Sequence, residues 1–218
     1  MTTKLNLKYA LLIIPIVLAI LALNGFGFFF KSGTAGAGII IILFAYFGRW
    51  KKFRDIWMIV GAFLFSIGGD WFLSHMNGDT NLFISGIALF FVAHIGYLSY
   101  ALMNGKMKWV FTLIVLAGYL IFFFLMLYPS FEDSKLMIAA LIYLLISCFS
   151  LGASVGIRAD PVLRWAYIIG IVLVVFSDTI IAFNEFVGYK ELNFLILPTY
   201  YLAHIAVTFS LLKRSVSE

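Results

Sequence analysis

The sequence predicts an all-α, polytopic membrane protein: eight transmembrane helices built as two tandem four-helix repeats, within one domain over residues 1–218. Three observations carry this. Hydrophobic residues fill 64% of the 218 positions and charged residues only 11%, and the mean hydropathy is +1.08. A water-soluble domain is nearer half apolar and a quarter charged. The apolar residues also fall into eight runs, at about 9–29, 33–48, 55–74, 81–103, 108–128, 135–156, 162–184 and 193–212. Most approach the roughly 20 residues that a helix needs to cross the hydrocarbon. Finally, the runs repeat. Trp57 stands 13 residues before Asp70, and Trp165 stands 13 before Asp178. Ala93-His94-Ile95 is matched by Ala203-His204-Ile205, and the offsets Asp70–Asp178, Arg49–Arg158 and His94–His204 are 108, 109 and 110 residues. Repeat one covers about residues 1–104 and repeat two about 105–218. Four spans is an even number, so the copies share one orientation and the expected axis runs along the membrane normal.

The first run follows Lys4 and Lys8 and resembles a signal peptide, but no small-x-small cleavage site follows, so it reads as a retained span. The second is short and begins with Ser32, Gly33, Gly36 and Gly38, small residues that let helices approach closely. The third carries Asp70 within FSIGGDWFLSH (65–75), and the fourth carries His94 with Tyr97 one turn on. On the sixth, Tyr143, Ser147, Ser150 and Ser154 recur at steps of 4, 3 and 4. The single cysteine, Cys148, lies there too and reads as a packing residue. The seventh carries Asp178 within VVFSDTIIAFNE (174–185), and the eighth carries Tyr200, Tyr201, His204 and Thr208. The connections are short and leave no room for a soluble domain.

Charge sets the expected orientation. With the N-terminus inside, the inner segments hold Lys4, Lys8, Arg49, Lys51, Lys52, Arg54, Lys106, Lys108, Arg158, Arg164, Lys213 and Arg214, which is 12 of the 15 basic residues. Lys31, Lys135 and Lys190 fall outside. The positive-inside rule then puts both termini in the cytoplasm, with the inner membrane as the expected location in a bacterial cell. The net charge of +5 is spread over short loops and implies neither a nucleic acid nor a protein partner.

The site hypothesis rests on Asp70 and Asp178. A carboxylate inside hydrocarbon costs several kcal/mol unless it is protonated, paired or facing a wet cavity, so such residues mark function. At 1.5 Å per residue, Asp70 and Asp178 lie about 24 and 21 Å from the inner surface, and His94 and His204 about 18 and 14 Å. Asp70, Asp178, His94 and His204 are the candidate catalytic residues. Ser66, Tyr97, Ser147, Ser177, Tyr200 and Tyr201 are the candidate substrate-binding residues, lining a shared cavity that opens to the outer side. The same hydroxyls also suit plain interhelical hydrogen bonds.

These residues resemble the YhhN-type lysoplasmalogenases over nearly the whole chain. The likeness rests on Gly69-Asp70, on Ile84-Ser85-Gly86 leading to Phe90-Phe91-x-x-His94-x-x-Tyr97, on Ser177-Asp178, and on Tyr201-x-x-His204. Family members often carry Lys-Pro at the start of the second span; here Lys31 is followed by Ser32. The resemblance implies an eight-helix hydrolase of lysophospholipids that cleaves a vinyl-ether bond. Its products are a fatty aldehyde and glycerophosphoethanolamine or glycerophosphocholine. That reaction needs a carboxylic acid to protonate the alkene and a second carboxylate to stabilise the cation or activate water. Two neighbouring buried aspartates suit that division, and no metal or other cofactor is required. Two alternatives stay open. One is a zinc-dependent membrane hydrolase of the ceramidase type, with aspartates and histidines as ligands. The other is a proton-coupled transporter.

Overall fold

The computed structural model describes residues 8–217; Lys4, counted above among the inner basic residues, lies outside them. The described chain is helical, with no strand and one isolated antiparallel bridge between Gly105 and Ile157. In chain order the helices are α1 (Ile13–Leu23), α2 (Phe28–Ala45), α3 (Ile56–His75), α4 (Thr80–Met103), α5 (Trp109–Phe122), α6 (Ser134–Ser154), α7 (Pro161–Ala182) and α8 (Asn193–Ser217). Two continue past their regular part. A π turn at Phe123–Leu127 and a 3-10 turn at Tyr128–Ser130 prolong α5, and a π turn at Phe183–Val187 prolongs α7. Seven of these helices are long and apolar enough to cross a membrane, and the apolar helix Lys8–Leu23 is shorter. The chain is thus an all-helical, polytopic membrane protein.

The ends follow local chemistry. The Asp79 carboxylate accepts from the Asn81 and Leu82 amides at 2.8 and 3.4 Å and starts α4. Asp133 caps α6 in the same way. Asp160 caps α7, whose first residue is Pro161, a position where the missing amide costs nothing. One boundary differs from the expected one. The break between the first two runs falls at residues 24–27, not near Lys31. Gly25 and Gly27 have φ of 81° and 95°, conformations open to glycine, and the Asn24 amide group donates to the Ile20 carbonyl at 2.8 Å. Lys31 therefore lies in the first turn of α2.

Apolar helices in lipid gain little from burying apolar surface against each other; close packing and hydrogen bonds decide their contacts. The closest pairs are the hairpins α3–α4 and α7–α8. In the first, a Cβ on Gly96 would lie 2.5 Å from the Met58 carbonyl oxygen; in the second, one on Gly170 would lie 2.6 Å from Val207. The hairpins are joined through α4 against α6 and α2 against α8, while α5 packs mainly on α6. Gly38 of α2 meets Phe63 and Thr208 with no room for a side chain, as the small residues of that run foretold. Polar ties cross the bundle. Tyr167 donates to the Tyr97 carbonyl at 2.8 Å and Tyr46 to the Leu211 carbonyl at 2.9 Å. At the end that carries the basic loops, buried Asp55 accepts from Asn104 at 2.7 Å and pairs with Arg214.

Candidate active site

On α3, Ser66 and Asp70 are one turn apart and both are buried. The α3–α4 turn, with Asn77 and Gly78 at positive φ, folds α4 back so that its polar face carries His94 and Tyr97 beside α3. Asp70 is 4% exposed, and its Oδ2 accepts from the Tyr200 hydroxyl of α8 at 3.0 Å. The Tyr200 ring stands edge-on to His204, 4.4 Å between centroids. His204 Nδ1 faces the Tyr200 carbonyl at 3.0 Å. A carbonyl only accepts, so the proton sits on Nδ1. In the neutral ring Nε2 is then an acceptor, and it is buried without a partner.

Asp178 of α7 has a different setting. Its Oδ2 accepts from the Tyr143 hydroxyl of α6 at 2.6 Å and faces Nε2 of His94 at 3.4 Å. The His94 ring stands edge-on to Tyr143 and Tyr97, and its Nδ1 has no partner. The Asp178 side chain is 14% exposed. It lies on the wall of a partly open cavity between α3, α4, α5, α6 and α7. Around it the wall is almost wholly apolar, built from Leu73, Phe83, Ile87, Phe90, Leu127 and Phe186 among others. Tyr143, Ser147, Tyr119 and Thr179 supply the other polar groups.

The structure brings the four candidate catalytic residues into two linked clusters. Asp70 pairs with Tyr200, which packs on His204; Asp178 pairs with His94 and Tyr143. Asp70, Asp178 and Tyr97 are close enough to interact electrostatically. Only Asp178 lies on the cavity wall. Asp70 is set behind Phe90, which lines the cavity on one side and touches Gly69 and Tyr200 on the other. Ser66 lies beside the hydroxyls of Tyr97 and Tyr200. Ser147 reaches the cavity, with its hydroxyl donating to the Tyr143 carbonyl at 2.9 Å. Ser177 does not reach it; it donates to the Ile196 carbonyl of α8 at 3.0 Å. Tyr201 is buried with its hydroxyl unpartnered. Two features go beyond the expected set. Tyr143 makes the shortest bond to Asp178, a role foreshadowed only by its place on the polar stripe of α6. Tyr119 and Thr179 bond to each other at 2.9 Å across the cavity edge, and nothing in their spacing signals it. Lys31 donates to Ser74 at 2.8 Å and lies within electrostatic reach of Asp70.

Among the described residues, no group of three or more His, Cys, Asp or Glu side chains is placed to hold a metal ion. The arrangement offers a carboxylate in the wall of a largely apolar cavity. Fold and site together define an all-helical membrane protein with two carboxylates, Asp70 and Asp178, inside its apolar helices and an apolar cavity beside Asp178. The chain belongs to the YhhN family, whose sequence profile matches residues 11–211. No curated protein and no solved structure matches it.

Proposed function

We propose that this protein is a membrane-embedded lipid hydrolase, a lysoplasmalogenase that cleaves the vinyl-ether bond of a lysophospholipid. One observation carries the reading: Asp178, held by two side chains, is set in the wall of an otherwise apolar cavity in a member of this family. In the proposed reaction a proton adds to the alkene carbon and leaves an oxocarbenium ion. Water attacks that ion to give a hemiacetal. The hemiacetal collapses to the aldehyde, and the glycerol oxygen departs with a proton. Asp178 faces the reacting carbons and stabilises the cation or activates the water. His94 and Tyr143 fix its orientation. Asp70 supplies the proton, reaching the cavity when Phe90 turns aside. The first carbons of the aliphatic chain lie in the apolar cavity beside Asp178, and the headgroup stays at its mouth.

The reading extends to topology. Lys8–Leu23 serves as an eighth span, both termini lie in the cytoplasm, and the halves are tandem repeats. Paired packing supports the repeat: α3–α4 matches α7–α8, and α4 on α6 matches α8 on α2. The aspartates pair crosswise as well, since Asp70 bonds a residue of the second half and Asp178 a residue of the first.

The test is the product spectrum of purified protein on lysolipids with vinyl-ether, alkyl-ether and ester linkages, read by mass spectrometry. Aldehyde from the vinyl ether alone, lost in Asp178→Asn, is the expected result. Chelator-sensitive cleavage of an amide lipid, or lipid flux into proteoliposomes with no product, would overturn the proposal.

A further inference from the structure

We infer that the aliphatic chain of the substrate leaves the cavity sideways, between α5 and α7, and lies in a groove that opens on the lipid. This rests on the reading of Asp178 as the reacting centre. A shallow groove on the bundle surface is lined by Ile114, Val115, Gly118, Tyr119 and Phe122 of α5, Leu151 of α6 and Thr179 of α7. Tyr119, Phe122 and Thr179 also line the cavity that holds Asp178. One layer of side chains therefore separates the two spaces, and Thr179 adjoins Asp178 in sequence. The groove faces hydrocarbon: Ile114 is 67% exposed, and Gly118 lies about 15 Å along α5 from Lys108.

The layer is built to part. Its polar tie is the single bond between Tyr119 and Thr179. The Thr179 hydroxyl has one proton and donates it to the Val175 carbonyl at 2.7 Å, so Tyr119 is the donor to Thr179. If Tyr119 swings away, Thr179 keeps its own bond, and nothing buried is left unsatisfied on α7. Beside it stands a tilted ring pair, Phe122 with Phe183, 5.0 Å between centroids. Helix α5 packs mainly on α6 and buries only Thr112 in its regular part. Just beyond this level both α5 and α7 pass into π turns, which touch each other; such turns loosen a helix and recur at functional sites. A straight single chain fits a path that starts at Asp178 and ends in the membrane interior. The groove then sets no upper limit on chain length.

Gly118 gives a clean probe, because an added Cβ there meets nothing within 4 Å. In Gly118→Trp the ring fills the groove and leaves the site untouched. Turnover of a long-chain vinyl-ether lysolipid should fall about tenfold or more, and that of a short-chain analogue should not change. Gly61→Trp, in α3 and outside both spaces, where an added Cβ also meets nothing within 4 Å, should behave as wild type. A second measurement does not need turnover. A non-cleavable alkyl-ether lysolipid with a diazirine at its chain end is photolysed on the protein, and the labelled peptides are mapped. Label on residues 114–122 in the wild type, absent in Gly118→Trp, is expected. Label confined to other helices, or equal loss for short and long chains in Gly118→Trp, overturns the groove. Groove labelling with no hydrolysis of any vinyl ether refutes the lysoplasmalogenase reading and leaves the groove standing.

Discussion

Tyr143 and His94 converge on one oxygen of Asp178, and the bond from Tyr143 is the shorter, 2.6 against 3.4 Å. A bond to a charged group in a site shielded from water is worth about 1.5–3 kcal/mol, and 1.4 kcal/mol is a factor of ten in rate. Tyr143→Phe should therefore lower kcat/KM by about tenfold or more. If Tyr143 acts only through Asp178, adding the change to Asp178→Asn should cost nothing further, as expected of coupled residues. Full additivity in the double variant would show that it acts elsewhere. Asp178→Asn and Asp70→Asn keep size and remove the ionisable proton. Each should cut turnover by about a hundredfold or more, the scale of a lost acid or base, with folding retained because an amide is cheaper to bury than a charge. Near-normal hydrolysis by both folded variants would make the aspartates structural. Asp70 and Asp178 were legible because a carboxylate in an apolar run has few innocent explanations. Tyr143 was only half legible, since tyrosines are common in membrane helices and its bond spans 35 residues to another helix. That Asp70 stands behind Phe90 depends on side-chain packing, which periodicity does not report.

At the scale of elements, close approach decides where the helices touch. Gly96 and Gly170 each sit in one of the two tight hairpins with no space for a Cβ. Gly96→Ala and Gly170→Ala should each destabilise the protein by about 1–3 kcal/mol, the usual cost of overpacking. Gly61→Ala is the control: it lies in α3 with open space around it and should be neutral, or stabilising by up to about 1 kcal/mol through helix propensity. Melting temperatures in one detergent would rank the three. Equal shifts for all would mean that the close contacts carry no energy. The helix positions were legible from hydropathy to within a few residues, and Asp79, Asp133 and Asp160 mark three starts. The first break was not, because Phe26 and Phe28–Phe30 continue the apolar run through the Gly25–Gly27 turn and hide it. The π turns at Phe123–Leu127 and Phe183–Val187 carry no sequence mark, and they touch each other across the ends of α5 and α7.

For the whole molecule, the number of spans and the direction of the bundle are one question. Seven helices are long enough to cross, and Lys8–Leu23 is shorter. A short apolar helix still spans where flanking residues reach to the interface or the bilayer thins, at a cost of fractions of a kcal/mol per Å. Eight spans put both termini on one side, and seven put them on opposite sides. The basic residues favour the even count. Arg49, Lys51, Lys52 and Arg54 follow α2, Lys106 and Lys108 follow α4, Arg158 and Arg164 flank the start of α7, and Lys213 and Arg214 close α8. All lie at the end of the bundle where Asp55 pairs with Arg214. Towards the opposite end, which carries the turn at Asn77 and Gly78, the cavity is lined by Phe83 and Phe186, and the proposed mouth lies there. Reporter fusions that mark cytoplasmic or external location should therefore agree before Lys4 and after Ser217, both cytoplasmic, and differ for an insertion between Asn77 and Gly78. Termini on opposite sides would reduce the chain to seven spans and remove the tandem repeat. An internal reading for the 77–78 insertion would invert the bundle, place the cavity mouth on the cytoplasmic side, and require the lysolipid to be drawn from the inner leaflet.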